Sequence, residues 1–481
     1  MSPYVTALLV YSIFLMAIGW WTSRSVRRAE DFFVAGRRLS PALLFGTLLA
    51  ANLGAGSTVG ATGLGYTHGI SAWWWVGSAG IGSLILGMTV GPRMWRVAKE
   101  QNLYTVGDYL EHRYSRGVRG LIAVLLWFGS LAILAGQLIP LAWILNLTLG
   151  IPKYVACLAG GAVVVVYFTF GGLTSTARVN MVQLVVKLSG FILAFLMIVS
   201  GAGLLSGEGA APTGFESWFG DDPSRIWGYF IVLVPAFIIS PGLLQKIYGA
   251  RDARAVRQGV CTNAVALMLF AFIPALLGMA AYHAFPSLDS PDLALPRLLM
   301  DALPFWIGGL TLAAVFSAEI SSADAVLFML TTSLSRDLYQ TYIEPGASEQ
   351  RMLAVSRITA VGAGLAGVVL AAVLPDVITA LTIFYSILSV ALFVPLIAGL
   401  YSTRPNANGA LATIAGSVLV MILVHLGSNG GGLAGISPAT WGIGTAAVIM
   451  ALHMMSRRGT EPAPMNSNHL PQPNEGGRHA Q

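Results

Sequence analysis

Apolar residues run in blocks of about twenty along most of the chain, separated by short polar stretches, and a helix of that length spans a bilayer. Thirteen such blocks fall near residues 4–22, 41–66, 71–92, 119–147, 151–170, 179–205, 226–244, 258–283, 304–333, 354–374, 377–400, 408–427 and 438–455. The pattern predicts an all-α polytopic membrane protein with about 13 transmembrane helices. One block is not an ordinary span. Its middle reads Asn52-Leu53-Gly54-Ala55-Gly56-Ser57-Thr58, where a plain anchor would carry Leu and Ile. Glycine costs a helix interior about 1 kcal/mol relative to alanine. Backbone carbonyls freed at membrane depth persist only where they line a cavity or are buried in protein. The block therefore predicts a discontinuous helix whose broken backbone coordinates something.

A second interruption lies five blocks further on, where Pro235 and Ser240-Pro241-Gly242 fall inside 226–244. Broken helices at corresponding positions of two five-helix halves are the pattern of inverted-repeat transporters, with the substrate between them. On that reading they are the first and sixth helices of the core. The block at 304–333 is the most polar within the membrane. There Ala318, Ser321 and Ser322 share one helical face, offering one carbonyl and two hydroxyls. With two carbonyls from the broken helix they make a five-oxygen site, suited to a hard monovalent cation and too weakly charged for a divalent one. Serines in membrane helices also back-bond to their own carbonyls or join neighbouring helices, and that alternative stays open.

Composition agrees with the class. The chain is 56% hydrophobic and 10% charged, with a mean hydropathy of +0.73, against roughly 25% charged residues in a soluble domain. A net charge of +6 would suit nucleic acid, but basic cytoplasmic loops supply it here. With the N-terminus outside, most of the 27 Lys and Arg fall on the cytoplasmic side; Lys153, Arg225 and Arg297 fall outside, and Lys187 lies within a span. Cys157 and Cys261 sit in or beside apolar blocks and read as packing residues. No nucleophile–base pattern, phosphate loop or metal-ligand spacing is present in the sequence, so an enzyme is not expected. Residues 1–456 read as one transmembrane domain, with an extra helix at 4–22, a core at about 41–400 and extra helices at 408–455. The polar tail 457–481 reads as disordered and cytoplasmic.

Several motifs in order carry a resemblance. They are Asp31-Phe32-Phe33-Val34-Ala35-Gly36-Arg37-Arg38-Leu39-Ser40, Ala50-Ala51-Asn52-Leu53, and Tyr104-Thr105-Val106-Gly107-Asp108-Tyr109-Leu110-Glu111-His112-Arg113-Tyr114. The turn Phe170-Gly171-Gly172-Leu173 follows, then Gln245-Lys246 with Ala250-Arg251-Asp252, and Ser321-Ser322 ending at Asp337-Leu338-Tyr339. With these the chain resembles the sodium:solute symporter family. The resemblance implies a five-plus-five inverted repeat and uptake of a small organic solute driven by Na+, the coupling ion. It implies a sodium site made by the carbonyls of Ala50, Leu53 and Ala318 and the hydroxyls of Ser321 and Ser322. Asn52, Gly54, Gly56, Ser57, Thr58, Gln137, Phe237, Ser240 and Tyr385 are the solute-contacting candidates by position. Asn180 stands where many members carry an aspartate, and Asp324, three residues beyond Ser321, could restore the carboxylate as a second ion or proton site. Glu319 is the third candidate for that second ion or proton site, and could instead be a protonated acid, a gate or a partner for a basic residue; Lys187 could pair with either acid. The run Trp73-Trp74-Trp75 reads as an interfacial belt or as a stacking wall. A proton-coupled carrier on the same scaffold and a non-transporting solute sensor are the other functional classes. The expected setting is the plasma membrane, with the lipid bilayer, a solute and sodium as partners, no nucleic acid, and a functional monomer.

Overall fold

The computed structural model describes residues 3–23, 37–200 and 212–457, without the side chains of residues 15–23, 166–181, 349 and 353. Every named element among them is helical; the bridges Leu39–Ala250 and Leu433–Ile436 are isolated pairs. Ten of the described helices are long and apolar enough to cross a membrane, and three shorter apolar ones accompany them. The all-α membrane class expected from the apolar blocks is what the fold shows.

The chain opens with α1 (Pro3–Ser23), α2 (Pro41–Asn52) and α3 (Val59–His68). Ser40 caps α2 by accepting from the Leu43 amide at 3.3 Å, and Pro41 starts the helix where its missing N–H costs nothing. Between α2 and α3 lies a short 3-10 turn, Ala55–Ser57. The glycine-rich block is thus a true break. Next come α4 (Trp73–Ile85), α5 (Gly91–Glu100), α6 (Val106–Arg113), α7 (Arg116–Leu149) and α8 (Lys153–Ser200).

Helical backbone fills all 48 residues of α8, where the sequence predicted two spans and a Gly-Gly turn. The two ends nevertheless have different neighbours. A Cβ on Gly161 would reach Val368 and Leu138, and one on Gly190 would reach Ala314 and the backbone of Thr311. The side chains of the expected turn, Phe170-Gly171-Gly172-Leu173, lie outside the described ones.

The second interruption is also real. Helix α9 (Pro223–Ile239) stops at Ser240, and α10 (Pro241–Tyr248) restarts on a proline. Pro235 is carried inside α9 without ending it. The span expected at 258–283 is divided at Ala271 into α11 (Ala253–Phe270) and α12 (Phe272–Ala284). The chain continues with α13 (Ala294–Asp301), α14 (Phe305–Thr332), α15 (Glu349–Val373), α16 (Val377–Leu388), α17 (Val394–Tyr401), α18 (Ala407–Gly427) and α19 (Pro438–Ser456). Helix α14 is buried along most of its length and packs on both α7 and α8.

Two sequence motifs meet at one end of the bundle. Arg119 donates to Asp337 at 2.5 Å and to Glu111 at 2.7 Å, and lies 3.1 Å from Asp108. Asp108 also caps α6, accepting from the amides of Tyr104 and Thr105 at 3.0 Å each. Arg113 donates to the carbonyls of Gly399 and Ser402, tying α6 to the end of α17. The motif at 104–114 and the Asp337 motif are therefore two sides of one buried ionic knot.

Removing one partner from a buried ion network strands the rest, a loss of about 3–5 kcal/mol. An exposed pair contributes about 0–1 kcal/mol. Unfolding followed in detergent should show Arg119→Ala strongly destabilised. Arg351→Ala, whose pair with Glu344 is 65% and 46% exposed, should melt with the parent. Equal losses in the two variants would contradict the knot.

Candidate functional site

The chemistry of the broken helix follows from its hydrogen bonds. In an unbroken helix the Ala50 carbonyl would accept from the amide of Gly54, and the Leu53 carbonyl from that of Ser57. Here the Gly54 amide donates to Ser57 Oγ at 3.2 Å, and the Ser57 amide donates to the Gly54 carbonyl at 3.0 Å. Ser57 Oγ in turn donates to the Asn52 carbonyl at 2.8 Å. The break closes on itself and leaves the carbonyls of Ala50 and Leu53 without helical donors. They also sit at the C-terminal, negative end of α2, which favours a cation.

That cation is supplied by the protein. Lys187 on α8 donates from Nζ to the Ala50 carbonyl at 3.1 Å, the Leu53 carbonyl at 3.2 Å and Ser321 Oγ at 2.6 Å. An ammonium has three N–H groups, and all three are used. Ser321 Oγ passes its own proton to the Ala318 carbonyl at 3.2 Å. The Lys187 side chain has no solvent exposure, so this partnership is what makes its burial tolerable.

Three of the five groups expected around an ion, the carbonyls of Ala50 and Leu53 and Ser321 Oγ, thus meet at Lys187 Nζ, and a fourth, the Ala318 carbonyl, accepts from Ser321 Oγ. The fifth, Ser322 Oγ, is buried without a partner, beside Gly54. The oxygens suit a monovalent cation, and in this structure Lys187 Nζ is the group bonded to three of them. The sequence left Lys187 to pair with Glu319 or Asp324; its hydrogen bonds go to neutral oxygens, while Glu319 attracts it electrostatically without a direct bond. Glu319 is fully buried, accepts from Thr58 Oγ1 at 3.0 Å through one oxygen and leaves Oε2 unpartnered. Asp324 is buried on α14 as well. The Asn180 side chain lies outside the described ones, so its proposed meeting with Asp324 does too.

The solute candidates divide between two walls. Gln137 Oε1 accepts from the Ala55 amide at 3.0 Å and fixes the turn to α7. Asn52 donates to Asn263 at 3.3 Å, and Thr58 Oγ1, with one proton to share between Glu319 and the backbone, also lies 3.0 Å from the Gly54 carbonyl. A Cβ on Gly56 would lie 2.7 Å from Leu381 and 3.5 Å from the indole nitrogen of Trp75. Beyond Gly56 the wall is aromatic. Trp75 meets Tyr229 and Tyr385 edge-on, at 5.2 and 6.1 Å between ring centroids, and Tyr385 lies 5.5 Å from Phe237. Ser240 is half-buried at the α9–α10 break.

The tryptophan run is therefore split. Trp75 joins this wall, while Trp73 and Trp74 cluster with Trp218. Tyr229 and Asn263 were missed because each looks like an ordinary polar residue in an apolar block. The seating of Lys187 was missed because a long flexible stem reaches several partners from one helix position.

Comparison with known proteins places the architecture. The model of the sodium:solute symporter family matches residues 32–416. A sodium/glucose cotransporter of Vibrio parahaemolyticus is 24% identical, over 85% of this chain and 82% of its own. A sodium/pantothenate symporter of Escherichia coli (strain K12) is 25% identical, over 82% of this chain and 85% of its own. Among solved structures, a Na+-coupled sialic acid symporter in a substrate-bound, outward-open state superposes with a TM-score of 0.77 at 18% identity, covering 96% of this chain and 99% of its own. Mhp1, a nucleobase-cation-symport-1 family transporter, gives 0.60 at 15% identity, covering 90% of this chain and 96% of its own. These likenesses show a shared fold.

Gly54 is the sharpest local test of the break. A methyl group there would stand 2.4 Å from Ser322 Oγ and 2.8 Å from Gln137 Oε1. Gly54→Ala should lower solute binding at least tenfold with helix content intact by circular dichroism. Adding Ser322→Gly should restore part of it. Unchanged binding in the single variant would mean the turn is not packed against these side chains.

Proposed function

Because the chain belongs to the sodium:solute symporter family, we propose that it is a secondary active transporter, carrying a small organic solute into the cell by alternating access. The family's mode is sodium-coupled symport, and its members and the relatives above are transporters rather than enzymes. The observation that carries the reading is the pair of interrupted helices, α2–α3 and α9–α10. Self-bonded polar backbone lines one, and an aromatic wall is built on α9 beside the other. Breaks of this kind at membrane depth are expensive unless they serve a site.

The wall indicates the solute's chemistry in outline. Trp75, Tyr229, Phe237 and Tyr385 suit a flat or apolar body, and Asn52, Thr58 and Ser240 suit its polar groups. Polar groups on rigid helix ends would discriminate among solutes, because a mismatched ligand leaves them unpaired.

The orientation follows from charge. The N-terminus faces outward and the end bearing Arg119 and α6 faces the cytoplasm, since the basic residues concentrate there. The setting is the cell membrane and the working unit a monomer, forming one transmembrane domain over residues 1–456. Asp324 and Glu319, with Asn180, remain our candidates for a second ion or proton site. Sodium at the five-oxygen position also remains a candidate, subject to Lys187.

Purified protein in sealed vesicles should accumulate its solute when a sodium gradient is imposed, and stop when the gradient is collapsed. Screening should begin with aromatic and small polar solutes. Flux that ignores every gradient would indicate a channel; saturable binding without flux would indicate a sensor. Either would sink the transporter reading.

A further inference from the structure

We propose that Lys187 is a tethered cation, seated where the family's sodium ion would bind, and that sodium enters this oxygen cage only when the ammonium has left it or been removed. The inference deepens the reading of the protein as a symporter and rests on it for the meaning of the cage. The contacts themselves stand independently of it.

Three features point the same way. The cage is built by the break: Ala50 and Leu53 lose their helical donors because Ser57 takes them over, so two carbonyls must find a cation or stay unsatisfied. The contacts of Lys187 use each of its three N–H groups once, two at carbonyls and one at Ser321 Oγ, and Ser321 relays to the Ala318 carbonyl. The arrangement spans three elements. Helix α8 holds the charge, α2 the carbonyls and α14 the hydroxyl.

A cation on a side chain differs from a dissolved ion in one respect that matters. Its effective concentration is set by the length of its stem, so it does not vary with the medium. Sodium would have to compete with a partner that is always present, and two like charges cannot share one small cage of neutral oxygens. The tie between α2 and α14 is then made at every sodium concentration. Any sodium coupling in this chain must act at another position, or at a moment when Lys187 has swung out.

The test is melting temperature of the purified full-length protein in sodium, potassium or choline chloride at matched ionic strength. The quantity read is the sodium-specific component that Ser321→Ala abolishes. The wild type should show none. Lys187→Ala should melt lower in choline chloride and recover saturably in sodium, and adding Ser321→Ala should cancel the recovery. Lys187→Gln, which keeps two donors and loses the charge, is the second variant should the alanine protein fail to fold. A purely structural lysine would lower melting equally in all three salts.

A Ser321-dependent sodium response in the wild type, unchanged by the Lys187 substitutions, would overturn the proposal. So would variants that gain no sodium response at all, since removing the ammonium would then have opened no cation site. Failure of the symporter reading would show separately, as absent solute flux in vesicles whatever the melting data.

Discussion

A helix that stops in the middle of a membrane protein leaves a debt of unsatisfied carbonyls, and the core of this molecule is arranged around how that debt is met. Ser57 turns the chain at Gly54 by taking over the local hydrogen bonds, which exposes Ala50 and Leu53 at the negative end of α2. Lys187 reaches across from α8 and joins those carbonyls to Ser321 of α14. The rest of the site hangs on this tie. Gly54 must lack a side chain because Ser322 and Gln137 crowd it, and Thr58, on the far side of the break, holds Glu319. An aromatic wall closes the side facing α9 and α16.

The consequences for transport follow from what a fixed charge can and cannot do. A dissolved ion shifts a conformational equilibrium to an extent that rises with its concentration and is limited by its differential affinity. A tethered ammonium stabilises the arrangement in which it is seated and carries no information about the sodium concentration. Opening between α2 and α14 would require the ammonium to find other partners or to stay with one helix. Glu319, with an unpartnered oxygen in the same buried region, is the polar group placed to take part in such a rearrangement. The ionic knot around Arg119 binds α6 and α7 to the stretch after α14, near one end of the same bundle.

Much of this was readable in the chain. The two interruptions and the apolar blocks follow from glycine and proline placed where an anchor would have leucine, and the shared face of Ala318 and Ser321 from their spacing, whereas Ala50 and Leu53 were expected from the family resemblance. Membrane burial makes such departures conspicuous, because every freed backbone group needs a partner. Other features were not readable, and for identifiable reasons. Helical spacing puts a residue on a face but does not say which of several neighbours a lysine stem will reach, so Lys187 was left between two acids. Ser322 shares its face with Ser321 within the resolution of a helical wheel, yet it turns toward Gly54. Three consecutive tryptophans read as one unit, an interfacial belt or a stacking wall, although successive helical residues point about 100° apart and Trp75 faces a different neighbourhood from Trp73 and Trp74.

The central claim is that one buried ammonium holds the broken helix to α14. Amide hydrogen exchange on wild-type protein and Lys187→Ala, both without sodium, tests it most directly. The account predicts lost protection confined to residues near 50–58 and 318–324 in the variant, restored when sodium is added. Protection unchanged across both segments would contradict it, because the tie would then contribute nothing to holding them together.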